Sequence, residues 1–198
     1  MKRATIVLLG LGLLSIGVAG LHAERAAGQD DDGWMTLFDG STLEGWNVLG
    51  DANWELADGA VRADSGTGFL VTPKSYGDFV LTLEFWVDEP ANSGIFIRCQ
   101  DAQSVRDNNS YEVNIYDTRA DQTYRTGGIV HFAAPSAIIN AGGQWNTYEI
   151  RAEGTRLTVT LNGTQTVDME DSMYSDGPIA LQYGLGVVKF RNVRIREL

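Results

Sequence analysis

The stretch "SYEVNIYDT" at positions 110 to 118 alternates Tyr111, Val113 and Ile115 with Glu112, Asn114 and Tyr116. That is the period of a β-strand, in which residues i and i+2 share a face roughly 6.5–7 Å apart. One face is apolar; the other carries a carboxylate, an amide and a phenol. Two further stretches offer similar material. "DFVLTLEFWV" sets Thr82, Glu84 and Trp86 against Leu81, Leu83, Phe85 and Val87, and "SGIFIRCQ" sets Phe96, Arg98 and Gln100 against Ile95, Ile97 and Cys99. Placed side by side, the three strands would show Glu84, Trp86, Phe96, Arg98, Glu112, Asn114 and Tyr116 on one face. Aromatic rings give a sugar a stacking surface, while carboxylates and amides bond its hydroxyls. At their spacing Glu112 and Asn114 could hold two points of one ring. The alternative is a set of cross-strand ion pairs among Glu84, Arg98 and Glu112, each contributing about 0.2–1 kcal/mol on a solvated sheet. Spacing alone leaves the two readings level.

The elements that would position these residues are strands. "NWELADGAVRA" reads as a hairpin turning at Asp58-Gly59. "NTYEIRAEGTRLTVTLNGTQTVDM" reads as three strands turning at Glu153-Gly154 and Asn162-Gly163, and Asn-Gly between β-branched runs is a strong hairpin signal. "GPIALQYGLGVVKFRNVRIREL" gives a strand to Tyr183, a glycine-rich kink and a closing strand. Many short strands and no amphipathic helix argue an all-β sandwich or barrel. The least strand-like regions, 101–109 and 117–139, are expected to be loops, where binding residues concentrate.

At 198 residues the chain is long enough for one domain with a full core. Lys2 and Arg3 precede an apolar run from Ile6 to Leu21 and then small residues, the layout of a secretory signal peptide. The expected division is therefore a signal and flexible lead-in over 1–28 and a single exported domain over 29–198, periplasmic or extracellular, without stable membrane insertion once the signal is removed. A net charge of −11 repels nucleic acid and anionic membrane surfaces and suits a neutral or cationic ligand, which a sugar would fit.

Other candidates are weaker. His131, in "TGGIVHFAAP", could act as a general acid or base near neutral pH, or be polar filler in a loop. Asp117, Arg119, Asp121 and Arg125 form a mixed-charge loop that follows the Glu112 strand and could rim a cleft. Cys99 is the only cysteine, which excludes an internal disulfide and reads as a small buried hydrophobe. "DDDG" at 30 to 33 lacks the spacing of a calcium loop. Two histidines and one cysteine do not build a zinc site. No phosphate loop, dinucleotide fingerprint or Gly-x-Ser-x-Gly elbow is present.

Taken together, "LFDGSTLEGW" (37 to 46), "NSGIFIRCQ" (92 to 100), "SYEVNIYD" (110 to 117), "WNTYEIRAEGTRLTVTLNG" (145 to 163) and "GPIALQYGLGVVKFRNVRIREL" (177 to 198) resemble the 3-keto-disaccharide hydrolase domain family. The likeness runs in order over residues 34 to 198. It implies a concanavalin A-like, two-sheet antiparallel jelly-roll sandwich, and exported bacterial proteins that cleave glycosides already carrying a ketone at C3. The ketone acidifies the hydrogen at C2, so a base can form the enolate, the C1 leaving group departs, and water adds to the unsaturated sugar. Such a site needs a base near C2, a cation or hydrogen-bond donor near the C3 oxygen, and a proton donor for the leaving oxygen. The face with Glu112 could supply these groups: on that hypothesis Glu112 is the base or else the acid, Arg98, positioned by Glu84, stabilises the enolate oxygen, and His131 or Asp117 protonates the leaving group. Glu84, Trp86, Phe96, Asn114 and Tyr116 then contact the sugar. No cofactor is firmly implied; a divalent metal held by Glu84, Glu112 and Asp117 is compatible with the family but not required by spacing. The chain departs from the family pattern in carrying Asn114 where Gln is common and "QYGLG" where relatives carry His-Gly. A carbohydrate-binding module without catalysis is the alternative reading.

Overall fold

The computed structural model describes Met1 and residues 32–198. The expected signal and lead-in therefore lie, apart from Met1, outside the described residues. Within the described residues the chain forms β1 (Met35–Phe38), β2 (Asn47–Gly50), β3 (Glu55–Ala57), β4 (Ala60–Ala63), β5 (Gly68–Val71), β6 (Phe79–Val87) and β7 (Ser93–Ile97). It continues with β8 (Tyr111–Ile115), β9 (Trp145–Glu153), β10 (Arg156–Leu161), β11 (Thr164–Glu170), β12 (Ala180–Tyr183) and β13 (Val188–Glu197). A short 3-10 turn at Gln122–Tyr124 is the sole helical element described. No helix among the described residues is long and apolar enough to cross a membrane.

Two antiparallel sheets stack face to face as a jelly-roll sandwich. One has eight strands in the order β11-β10-β9-β6-β13-β4-β3, with β1 also paired to β13; the other has five in the order β2-β5-β12-β7-β8. Alternation explains which residues fill the space between them. Leu81, Leu83 and Phe85 of β6, Ile95 and Ile97 of β7, and Tyr111, Val113 and Ile115 of β8 all enter one buried apolar cluster. Phe85 of β6 and Tyr148 of the neighbouring β9 stack within it with centroids 4.8 Å apart. Two of the expected hairpins turn where expected, and the third turns one residue later, at Gly154-Thr155 and not at Glu153-Gly154, because Glu153 pairs with Arg156. Asn162 and Gly163 both take positive φ (51° and 80°), as do Asp58 and Gly59 (53° and 73°), the geometry of the tight turn that matches strand twist.

The expected three-strand face does not form. β6 lies in the eight-stranded sheet between β9 and β13, whereas β7 and β8 pair in the five-stranded sheet. Alternation reports the face a residue takes, not the neighbour its strand takes, and residues 88 to 92 carry the chain from one sheet to the other. Glu84 consequently sits opposite Arg191 and Trp86 opposite Lys189, on the solvent face of the eight-stranded sheet. The Glu84 carboxylate accepts from Arg191 Nη2 at 2.6 Å and Asn192 Nδ2 at 2.7 Å, so the ion-pair reading applies to it with a different partner.

Arg98 is also displaced. Its φ of 52° breaks the alternation just past the end of β7. The side chain turns inward and is 1 % exposed, and Cys99, expected beside Ile95 and Ile97, joins a second apolar cluster with Val71, Phe96, Val105 and Ala180. The guanidinium closes a cage of backbone oxygens. It donates to Gly77 O at 3.0 Å, Gly154 O at 2.9 Å and Tyr174 O at 3.1 Å, and to Asp78 Oδ1 at 3.1 Å. Removing it would leave carbonyls buried and unpaired at about 1–3 kcal/mol each. Arg98→Met is expected to lose at least ~3 kcal/mol of unfolding free energy in urea denaturation. A loss below about 1 kcal/mol would show that water replaces the cage.

Candidate active site

The second apolar cluster marks where the site lies. It covers the face of the five-stranded sheet turned away from the core, and Ala102 and Val105 of the 101–109 loop fold onto it. Register brings the polar residues of that face together: Phe69 of β5 is opposite Gln182 of β12, and Phe96 of β7 is opposite Glu112 of β8. A cavity of about 350 Å³ opens there, walled by Phe69, Phe96 and Gln182, with Glu112 inside, Asp107 from the 101–109 loop and Arg119 from the loop after β8.

Glu112 is 7 % exposed. Among the described residues none donates a hydrogen bond to its carboxylate. Burial, reinforced by the negative charge of Asp107 and only partly opposed by Arg119, pushes its pKa up to about 7. The neighbouring strand leaves room beside it. A Cβ added at Gly94 would lie 3.0 Å from Glu112 Oε1 and 3.1 Å from its Cγ, so glycine keeps the approach open. Other polar atoms nearby also lack partners. Gln182 Oε1 and Arg119 Nε, from residues that line the cavity, and Asn114 Oδ1, from the same sheet face, are buried without a hydrogen bond. Unmade bonds of this kind cost about 1–3 kcal/mol each, and water or a polar ligand entering the cavity would make them.

His131 reaches the cavity through Asp107. Its Nε2 stands 3.0 Å from Asp107 Oδ2, its ring is edge-on to Tyr124 at 6.0 Å, and its φ of 69° is one a β-substituted residue seldom adopts. The structure thus brings Glu112, Phe96 and, through Asp107, His131 to one place, with Asn114 on the same sheet face. It does not bring the others. Arg98, Glu84 and Trp86 are accounted for above. Asp117 spends both carboxylate oxygens on its own loop, accepting from Thr126 Oγ1 at 2.6 Å and from the amides of Ala141 and Gly142 at 2.7 and 3.0 Å, with Arg125 at 3.6 Å. Tyr116 follows the end of β8, is half-buried, and does not line the cavity. Glu84, Glu112 and Asp117 occupy three separate places, and no group of three or more His, Cys, Asp or Glu among the described residues is arranged to hold a metal ion. Glu84, Glu112 and Asp117 as placed do not fit a metal centre.

Sequence reasoning missed Asp107, Gln182, Phe69 and Gly94. Phe69 and Gln182 sit on strands far from Glu112 in the chain, and only sheet order makes them neighbours. The signal for Arg119 was its place in a charged loop just after β8.

The raised pKa has a consequence for stability. Below about pH 4.5 Glu112 is protonated in both folded and unfolded chains and costs nothing. Between there and about 7 the folded chain holds a proton that the unfolded chain has released, so stability falls as pH rises. Above pH 7 the buried charge costs roughly 3 kcal/mol. Glu112→Gln is therefore expected to melt higher than the parent at pH 8 and at nearly the same temperature at pH 4; the reverse order in thermal melts would contradict the placement.

Residues 33–196 match the 3-keto-alpha-glucoside-1,2-lyase-like domain model. A curated "3-keto-disaccharide hydrolase" of Bacteroides thetaiotaomicron is 32% identical over 101 residues, covering 44% of this chain and 35% of that protein, so the chain matches only about a third of the relative's length. A solved structure from Parabacteroides distasonis, provisionally assigned as a glycosyl hydrolase, superposes with a TM-score of 0.71 at 25% identity, covering 83% of this chain and 99% of that one. The carbohydrate-binding module CBM66 of Bacillus subtilis shares the fold, with a TM-score of 0.61 at 19% identity over 77% of this chain and 96% of that one. The match over residues 33–196 covers nearly all of the described chain, which belongs to the 3-keto-alpha-glucoside-1,2-lyase-like domain family.

Proposed function

We propose that the chain cleaves glycosides whose sugar carries a ketone at C3, by elimination and hydration, and that the Glu112 cavity is where it does so. The observation that carries this is a buried carboxylate without a hydrogen-bond donor, pushed to about pKa 7, at the floor of an aromatic-walled cavity. A base of that strength is half ionised near neutral pH and strong enough to take an acidified carbon-bound hydrogen. Membership of a family named for a 1,2-lyase, and a relative named as a 3-keto-disaccharide hydrolase, support this chemistry.

In this reading the Glu112 carboxylate takes the hydrogen at C2, and the C–H electron pair forms the enolate whose charge rests on the C3 oxygen. Arg119 and Arg106 line the cavity where Arg98 does not, and Arg119, whose charge acts on Glu112, is the cation assigned to stabilise that oxygen. The enolate collapses, expelling the C1 oxygen, which takes a proton from the His131–Asp107 pair and leaves as an alcohol. Water then adds to the resulting enone: its hydroxyl bonds to C1 as its proton passes to the His131–Asp107 pair, and Glu112 returns the first proton to C2. The sum is hydrolysis. Phe69 and Phe96 offer apolar faces to the ring, their centroids 5.3 Å apart and edge to face, and Gln182 is placed for a hydroxyl.

The binding-module reading draws on the same unpartnered atoms, because Gln182 and Arg119 would serve a sugar that is held and not cleaved. Incubation of purified protein with 3-keto-trehalose or 3-keto-lactose separates the two: release of monosaccharide supports the enzyme, and binding without release the module. Glu112→Gln is expected to abolish turnover; an active variant would sink the assignment. For the parent, kcat/KM is expected to rise with pH through about 7 as Glu112 ionises. Asp107→Asn removes a charge that opposes this ionisation, so its rising limb is expected at lower pH, and an unmoved limb would remove Asp107 from the account.

A further inference from the structure

A second cleft, of about 430 Å³, opens on the solvent face of the other sheet. A row of residues in cross-strand register crosses this face, and Trp145, Lys189, Arg62 and Glu55 of the row line the cleft. Trp145 of β9 is opposite Trp86 of β6, Trp86 opposite Lys189 of β13, Lys189 opposite Arg62 of β4, and Arg62 opposite Glu55 of β3. Ala57 and Ala60 are small and leave depth, and the β3–β4 turn brings Asp58 to the edge. The volume falls in the range of small-molecule sites, roughly 300–1,000 Å³.

The cleft offers an indole and charges of both signs. Trp145 is 36 % exposed, with the Arg191 guanidinium stacked 3.9 Å from its ring centroid. Arg62 is neutralised by Glu55 at 2.6 Å and Asp64 at 2.5 Å, and Arg191 by Glu84 at 2.6 Å. The Lys189 ammonium lies 4.9 Å over Trp86. Among the described residues neither Lys189 nor Asp58 forms an ion pair. An anion entering here would meet Glu55 and Asp58; a cation would meet Lys189 and two guanidinium groups. A neutral polyol uses both signs at once, its hydroxyls donating to the carboxylates and accepting from the ammonium in charge-assisted bonds, while its C–H groups pack on the part of the indole that Arg191 leaves exposed.

We propose that this cleft binds a neutral oligosaccharide, at a site separate from the Glu112 cavity and independent of whether that cavity is catalytic. The two sites lie on opposite sheets, so a saccharide held at Trp145 leaves the approach to Glu112 open.

Isothermal titration calorimetry with cellohexaose, maltohexaose and xylohexaose tests this, with hexagalacturonate as the charged comparison. At least one neutral hexasaccharide is expected to bind saturably and more tightly than hexagalacturonate. Trp145→Ala is expected to weaken that binding about tenfold or more, and Lys189→Met about threefold while leaving the indole in place. Glu112→Gln is expected to bind as the parent does. Thermal melts confirm that each variant is folded. Absence of binding by all three neutral probes, parent-like binding by folded Trp145→Ala, preference for hexagalacturonate, or loss of binding in Glu112→Gln would each overturn the proposal.

Discussion

The site depends on one unfavourable arrangement: a carboxylate buried on the outside of a sheet with no protein donor to meet it. A solvent-facing Glu on a β-face is ordinarily hydrated, and its pKa is ordinarily near 4.5. Glu112 is neither. The 101–109 loop and the Phe69–Phe96 pair remove its water, and Asp107 adds a like charge. The opposing cation, Arg119, does not cancel the effect. This cost is tolerated because the scaffold beneath is well packed. The same strand that presents Glu112 to the cavity on one face buries Tyr111, Val113 and Ile115 on the other. Perturbed acids in cavities are where proton-transfer chemistry is found, and structural carboxylates such as Asp117 show the contrast, with every oxygen engaged.

Rigid backbone contacts hold that strand in place. Tyr148 donates its hydroxyl to Asn114 O at 2.7 Å from the eight-stranded sheet, across the sandwich, and accepts from Gly127 N at 2.9 Å. Its own phenol is buried and its pKa raised out of reach, so this link does not titrate. Arg98 does comparable work at the far end of β7, tying the loops at Gly77, Gly154 and Tyr174 to one guanidinium. Charged residues that read as site candidates from type alone are therefore the braces of the site's scaffold.

Much of the fold was legible in the residues because β-periodicity and turn chemistry are local. The Asn162-Gly163 and Asp58-Gly59 turns, the inward sets of β6, β7 and β8, and the loops at 101–109 and 117–139 all follow from short windows of sequence. Glu112, Phe96 and His131 were legible as candidates for the same reason. What could not be read was strand order, which is set by pairings far apart in the chain, and so Glu84 and Trp86 were drawn onto the wrong sheet. Nor was the positive φ of Arg98, which reverses the alternation at one residue and exchanges its place with that of Cys99. Asp107, Phe69 and Gln182 meet Glu112 only once the five-stranded sheet and its covering loop are assembled.

The central claim is that Glu112 removes the hydrogen at C2. Its most direct test compares cleavage of a 3-keto-glycoside with that of the same compound deuterated at C2, at pH 8, under single-turnover conditions. The account predicts slower cleavage of the deuterated substrate by the parent protein and no cleavage of either by Glu112→Gln. Equal rates for the two substrates in the parent, or turnover by the variant, would contradict it.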